Sequence, residues 1–479
     1  MNRSNIWIHV GLATILIALA AILGQLDRWR STLQTTRERY NIQKIKPQAP
    51  IAGGVPEILV RFKPGTSLSE IRGVAAAHND RLADEIESVP GLAVIDDLDN
   101  EDVQKLVGEY SGLSDVSYAE PNLTIKLDDP VQKDDAYRND GVFYKTTASL
   151  DAPNDPLFDQ QWALNNPGGD GGKERADLDA IEAWKTTKGS EDVVVAVLDS
   201  GVDYTHEDLV NNMWVRPANI PEYQDDELGT VNDINGFNAD DKQGDPMDDN
   251  GHGTHCAGII GAEGDNGIGV SGINQHVKIM PLKFLGRMGN GSTAAAIEAI
   301  NYVVDRKQHG VNVRIISASW GSNSNSKALE DAIRAAGDAG ILFVAAAGND
   351  GSNNDRWPHY PSNYNLPNLI SVAALDRNDT LASFSNFGIK SVQVAAPGKA
   401  ILSTWLGDGY REASGTSMAT PYVSGVAALV IATEPSISMA ELRKRILSTV
   451  DKLPALDGKV SSGGRICAAN ALAGQIVKH

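Results

Sequence analysis

The chain has 479 residues, 42% of them hydrophobic and 46 of them glycine, with a formal net charge of −20. That length holds two domains plus tails, and the composition suits a loop-rich α/β globule with a sizeable core. The acidic balance argues against a nucleic-acid partner, which needs a basic surface, and favours solubility and cation binding.

Arg3 precedes an apolar stretch over residues 6–23, broken only by His9, Gly11 and Thr14. Residues 1–26 therefore predict a secretory signal peptide or a membrane anchor, and export in either case. Ala18-Leu19-Ala20 offers a small-residue cleavage pattern, whereas the length of the segment and the following Arg28 and Arg30 favour retention. Residues 27–54 are polar, contain Pro47, Pro50 and Gly53-Gly54, and read as a linker.

A compact unit follows over 55–127. Residues 57–63 alternate like a strand, and Pro64-Gly65-Thr66 turns the chain. Residues 67–78 predict a helix with Ser67 as N-cap and Glu70 closing a capping box. Residues 92–95 predict a strand, 101–110 a second helix and 116–122 an edge strand ended by Pro121. This β-α-β-α-β pattern predicts a small ferredoxin-like α+β domain. Residues 128–152 form an acidic, poorly patterned linker.

From 153 to 479 strand and helix patterns alternate, which predicts a doubly wound, mainly parallel sheet with helices on both faces. Within it, the apolar run 193–198 predicts a buried parallel strand that ends in Asp199-Ser200-Gly201. A carboxylate at that end lies where α/β folds place their chemistry. In Asn250-Gly251-His252-Gly253-Thr254-His255 a histidine sits among glycines at the start of a small-residue helix. The run 341–347 predicts another buried strand, ending in Gly348-Asn349-Asp350-Gly351. Ser414-Gly415-Thr416-Ser417-Met418-Ala419-Thr420-Pro421 places a serine at the start of an apolar helix. A serine nucleophile needs a base, and the base needs an orienting acid.

With these residues in this order, the chain resembles the subtilisin-like serine proteases (subtilases, peptidase family S8). The resemblance implies that Asp199, His252 and Ser417 are a catalytic triad. It also implies that the Asn349 amide and the Ser417 N–H donate to an oxyanion, and that His255 is a structural neighbour. Residues 55–127, closing with Tyr118-Ala119-Glu120-Pro121-Asn122, resemble the subtilase propeptide, which implies a folding chaperone and intramolecular inhibitor. Its C-terminal segment is expected to leave through the active-site cleft like a product, and the resemblance implies a maturation cut within the linker 128–152.

The same resemblance implies a cleft that holds protein or peptide substrates as an added strand. Ser319, Trp320 and Gly321 match one wall, Gly289 the opposite wall, and Ala346 and Gly348 the far side of the primary pocket. Trp320 has a place in the core as its alternative reading. His359 falls near the floor of that pocket, from which a preference for polar or acidic side chains is expected. A structural Ca2+ site is implied at Asp155, Asp208 and Asn266, with main-chain oxygens of Glu263, Ile268 and Val270. The acidic stretch 240–249 is either a second ion site or a solvated loop. Cys256 is expected to be a buried free thiol, and a disulfide to Cys467 is not expected.

The expectation as a whole is an exported, calcium-stabilised serine endopeptidase made as a zymogen and acting as a monomer. A catalytically silent binding module and an acyl-transferase on the same fold are the rivals. An intact triad speaks against the first, and the lack of a large lid-like insertion against the second.

Overall fold

A computed structural model of the chain describes residues 56–127, 152–169 and 171–476. The expected signal or anchor, the linker at 27–54 and nearly all of the linker at 128–152 lie outside the described residues.

The first domain runs β1 (Glu57–Phe62), α1 (Leu68–Ala77), β2 (Asp80–Glu85), β3 (Leu92–Asp97), α2 (Val103–Ser111) and β4 (Val116–Pro121). Its antiparallel sheet has the order β2-β3-β1-β4, which is the ferredoxin-like arrangement the pattern predicts, with β4 at an edge. The capping box at α1 forms: Ser67 N donates to Glu70 Oε2 at 2.7 Å and Glu70 N to Ser67 Oγ at 3.3 Å. Helix α2 starts at Val103 rather than 101, because the Asp102 carboxylate accepts from Gln104 N and Lys105 N and so acts as N-cap. Strand β2 has no clear apolar alternation, because its inward positions include the buried acids Asp80 and Asp84.

The second domain is built on a nine-stranded sheet. Its strands, in chain order, begin with β5 (Gly189–Asp199), β6 (Phe237–Asn238), β7 (His276–Lys283) and β8 (Val313–Ala318). They continue with β9 (Leu342–Ala346), β10 (Leu369–Leu375), β11 (Val394–Pro397), β12 (Asp451–Lys452) and β13 (Gly464–Arg465). Their order across the sheet is β12-β13-β11-β10-β9-β8-β5-β7-β6. Every pair is parallel except β12 with β13. This is the doubly wound, mainly parallel fold class expected from the sequence.

Helices α3 (His252–Gly261) and α6 (Thr416–Thr433) cover one face, while α4 (Thr293–Gln308) and α5 (Lys327–Asp338) cover the other. The unbroken run in β5 is explained by this. Val193, Val195 and Val197 join the core under α3 and α6, and Val194, Ala196 and Leu198 join the core under α4 and α5. Among the described residues α6 alone is long and apolar enough to cross a membrane, yet residues 416–431 are buried in the globule. From β5 the chain adds β7 on one side and then crosses to β8 on the other. The carboxyl end of β5 is thus the switch point where open α/β sheets leave a crevice, and Asp199 ends that strand.

Candidate active site

The fold brings Asp199 and His252 into contact, and the Cys256 thiol, which reaches both the His252 ring and the Ser417 carbonyl, sets Ser417 near them from a third distant segment. His252 is the first residue of α3, and its Nδ1 lies 2.7 Å from Asp199 Oδ1, the geometry of an imidazole N–H donating to a carboxylate. Two glycines make this approach possible. Gly251, at φ +104°, turns the chain into the helix, and a β-carbon on Gly253 would stand 2.0 Å from Gly201 O. Behind them the buried Asp248 carboxylate accepts from Gly251 N at 3.0 Å, Thr254 N at 3.0 Å and Ser200 Oγ at 2.9 Å. Asp248 thus takes the amides of Gly251 and Thr254, while Asn250 Oδ1 and Ser200 Oγ accept those of His252 and Gly253, and the helix start is tied to the turn after Asp199. Burial opposes the charged form of His252, but the Asp199 carboxylate outweighs it, and the imidazole is held well above its ordinary value. His255 is different: burial pushes it down to about 3, and its Nε2 bonds the carbonyls of Ile401 and Arg411.

Ser417 is the second residue of α6. Its hydroxyl donates to Ser319 O at 3.0 Å, and Ser319 Oγ donates to Ser417 O at 2.9 Å. Pro421 explains why that carbonyl is open to a side chain. Proline has no N–H, so the helical bond back to residue 417 cannot form. The Cys256 thiol also reaches Ser417 O, at 3.5 Å, and lies 4.0 Å from His252 Nδ1. Both cysteines are free and buried.

Asn349 follows β9. Its Oδ1 accepts from Thr416 N at 2.8 Å and Thr416 Oγ1 at 3.0 Å, so the amide nitrogen is its other end. A β-carbon placed on Gly415 would lie 3.4 Å from Asn349 Nδ2 and 3.5 Å from Ser417 N. Two N–H donors thus border one small space beside the serine, which is what a developing oxyanion needs.

The cleft contains part of the chain itself. After β4, a short strand Thr124–Lys126 pairs antiparallel with Asn290–Ser292, and Lys126 also bridges Gly321. Gly289 O accepts from Leu127 N at 2.8 Å. Glu120 accepts from Lys327 N at the start of α5, and Asn122 Oδ1 accepts from Ala294 N at the start of α4. The first domain thereby satisfies two helix N-termini of the second. A buried acid cluster also spans the two domains, with ligand atoms of Asp84, Asp225 and Glu298 within 4.8 Å of one another.

Ala346 and Gly348 lie at the end of β9 beside Thr416, whose Oγ1 accepts from Gly348 N. His359 is buried, with its ring packed against the backbone at Gly321 and Gly348. Trp320 is a correction: its side chain belongs to the core, not to the cleft lining. It is fully buried, its Nε1 donates to Leu198 O at 2.9 Å, and its ring stands edge-on to Phe284. In a strand, the residue between two cleft-facing neighbours points to the opposite side.

Asp155 and Asp208 both face the loop 263–270. Asp155 accepts from Asp265 N and Asn266 N, while Asp208 accepts from Val270 N and Asn266 Nδ2. Burial pushes Asp155 up to about 6, and burial with the nearby Asp155 charge pushes Asp208 up to about 7. Two buried carboxylates facing one loop fit a calcium ion, which would offset their repulsion; here Asn266 turns its Nδ2 to Asp208 while its Oδ1 accepts from Ile268 N. The Glu263 carboxylate is turned away and accepts from Asn211, leaving its main-chain oxygen, with those of Ile268 and Val270, for such a site. In the stretch 240–249, Asp248 serves α3 and Asp249 accepts from Lys283 Nζ, so internal partners occupy acids considered for a second ion.

Sequence reasoning missed the roles of Asp248, Pro421 and the two helix-capping acceptors Glu120 and Asn122. Of these only Pro421 carries a local signal, a proline inside an apolar helical run.

Comparison with known proteins agrees with this geometry. The model of the Peptidase_S8 subtilase family matches residues 190–464, and that of the fervidolysin N-terminal prodomain matches residues 56–122. Thermitase of Thermoactinomyces vulgaris is 34% identical over 67% of this chain and 99% of its own length. A thermophilic serine proteinase of a Bacillus strain is 38% identical over 60% of this chain and 64% of its own length. Among solved structures, fervidolysin of Fervidobacterium pennivorans has a TM-score of 0.68 at 24% identity, covering 89% of this chain and 62% of that one. A protease of Pseudoalteromonas arctica has a TM-score of 0.56 at 30% identity, covering 67% of this chain and 99% of that one.

Proposed function

The chain belongs to the subtilase family, and from that premise we propose that it is an exported serine endopeptidase, made as a zymogen, that hydrolyses peptide bonds in proteins. Ser417 Oγ attacks the scissile carbonyl while His252 takes its proton. Asp199 holds the imidazole by its Nδ1–H and stabilises the imidazolium that forms. Asn349 Nδ2 and Ser417 N receive the negative charge on the oxygen. His252 then protonates the leaving amine, and water, with His252 again as base, hydrolyses the acyl-enzyme. Calcium when bound would neutralise Asp155 and Asp208 and brace the loop 263–270; it takes no part in the chemistry. The first domain acts as an inhibitor by filling the cleft with its own strand.

The observation that carries this reading is the 2.7 Å approach of His252 Nδ1 to Asp199, with the Cys256 thiol reaching both that ring and the carbonyl of Ser417 at a helix start. A fluorophosphonate that reacts with activated serines tests it. Once the prodomain is removed, a single label on Ser417 is expected, and none in Ser417→Ala. A parent chain that takes no label would overturn the proposal.

A further inference from the structure

Two glycine-bearing walls converge on the nucleophile, and one of the protein's own side chains fills the slot between them. The first wall follows β8. There Ser319 O accepts from Ser417 Oγ at 3.0 Å, and Gly321 stands two residues further on. The second wall follows β9, where Gly348 N donates to Thr416 Oγ1 at 3.1 Å, one residue before the serine. The strand Thr124–Lys126 lies along the first wall, with Lys126 bridged to Gly321. A chain docked in the cleft therefore runs beside this slot as it approaches Ser417.

The ring that occupies the slot is that of His359. A β-carbon on Gly321 would stand 2.1 Å from His359 Cε1 and 2.8 Å from each ring nitrogen. One on Gly348 would stand 3.1 Å from Cδ2 and from Cγ. Opposite edges of one imidazole thus touch the two walls, and His359, Gly321 and Gly348 are all buried. The backbone that carries the ring is pinned. His359 N donates to Asn363 Oδ1 at 3.1 Å, and His359 O accepts from Ser362 Oγ at 2.6 Å and Asn363 N at 2.9 Å. The next residue, Tyr360, exchanges N–H···O bonds of 2.7 and 2.8 Å with Ser322, the neighbour of Gly321. The segment holding the ring and the wall beside it are therefore tied together, and the ring cannot back out without breaking those bonds.

Provided that the chain is the peptidase proposed above, we infer that it cleaves after small residues (glycine, alanine or serine) and that His359 sets this limit by plugging the primary pocket. The selection is by size, in place of the polar or acidic preference expected from the sequence. A side chain as large as leucine or phenylalanine would overlap a buried ring, and a close-packed interior yields to such overlap only at a cost.

The test is kcat/KM for a peptide amide series that varies only the residue before the scissile bond, as Gly, Ala, Ser, Asp, Leu or Phe. The enzyme is the full chain once its prodomain has been released. Ala is expected to exceed Leu and Phe by about tenfold or more, the scale of an overpacked site. His359→Gly, shown to be folded by its fluorophosphonate label, is expected to gain about tenfold or more on Phe while Ala changes by less than about threefold. A general loss of structure would lower both. If His359→Gly takes no label, His359→Ala carries the same comparison. Best cleavage after Leu or Phe by the parent overturns the inference, and best cleavage after Asp overturns it in favour of recognition by charge. Both results spare the peptidase proposal. A variant that labels yet keeps the parent's order overturns the assignment to His359. A parent that neither labels nor cleaves any of the series overturns the peptidase proposal and the inference together.

Discussion

Ser319 and Ser417 exchange two hydrogen bonds, each hydroxyl donating to the other's main-chain carbonyl at 2.9 and 3.0 Å. The pair joins the end of β8 to the start of α6, so the cleft wall and the nucleophile are held as one piece. Pro421 is what leaves the Ser417 carbonyl open for it. Ser319→Ala is expected to cost about 1–2 kcal/mol, the typical penalty for a buried acceptor losing its donor. The Cys256 thiol is the remaining donor to that carbonyl, so Ser319→Ala with Cys256→Ala should cost more than the sum of the single changes. Denaturant unfolding of the four proteins measures both numbers.

Asn349→Ala should reduce kcat by about 100- to 1000-fold with little change in KM, the known cost of losing such a side-chain donor in subtilisin. Gly415→Ala tests the same space from the other side. Its methyl would stand 3.4 Å from Asn349 Nδ2 and 3.5 Å from Ser417 N. The backbone there is extended, which any residue adopts. Turnover should therefore fall while the unfolding midpoint holds. An equal fall in both would point to packing instead.

The pH dependence of kcat/KM should follow His252. Its neutral form is the base, and the Asp199 carboxylate, outweighing burial, holds the imidazole well above its ordinary value. Activity is then lost as pH falls through that raised value. The ascending limb should have its midpoint above about 6.5, the ordinary histidine value. Its replacement by a limb centred well below pH 6 would contradict the geometry at Asp199.

Prodomain release should also depend on pH. Burial, with the Asp225 charge, raises Asp84 to about 8, while Lys242 at 4.0 Å opposes the shift. Glu87 and Glu227 add to the negative field, and Glu298 is raised by burial as well. An exposed aspartate titrates near 3.8. The associated state thus binds protons that the separated domains release, so association is strongest at low pH and weakens as pH rises through about 8. The dissociation rate of the cleaved prodomain should climb between pH 6 and 9, and Asp84→Asn should flatten that climb. A rate independent of pH in the parent would exclude the mechanism.

Chelation should lower the unfolding midpoint. Calcium at 100 times its Kd would stabilise a one-site protein by about 2.7 kcal/mol. Asp208→Asn should reduce the calcium-dependent shift without touching the active-site serine, as fluorophosphonate labelling would verify. A midpoint that ignores both chelator and added calcium would remove the ion from loop 263–270.

What the sequence determined by itself is local or compositional. Period-two and unbroken apolar runs predict β1, β3, β4, β5 and β9, but not β2, whose inward positions carry acids. The Ser67–Glu70 capping box is legible because its hydrogen bonds close within four residues. The four motifs holding Asp199, His252, Asn349 and Ser417 are short strings, readable without the fold. Tertiary structure alone decided how they work. Trp320 lies in the core because strand pleat and a bond to Leu198, 122 residues away in sequence, point it there. Asp248 braces α3 through Ser200, 48 residues before it. The Ser319–Ser417 exchange spans 98 residues, and Asp84 of the first domain meets Asp225 and Glu298 of the second in one buried cluster. Such contacts depend on which distant surfaces meet in the packed globule, and no periodicity along the chain encodes that meeting.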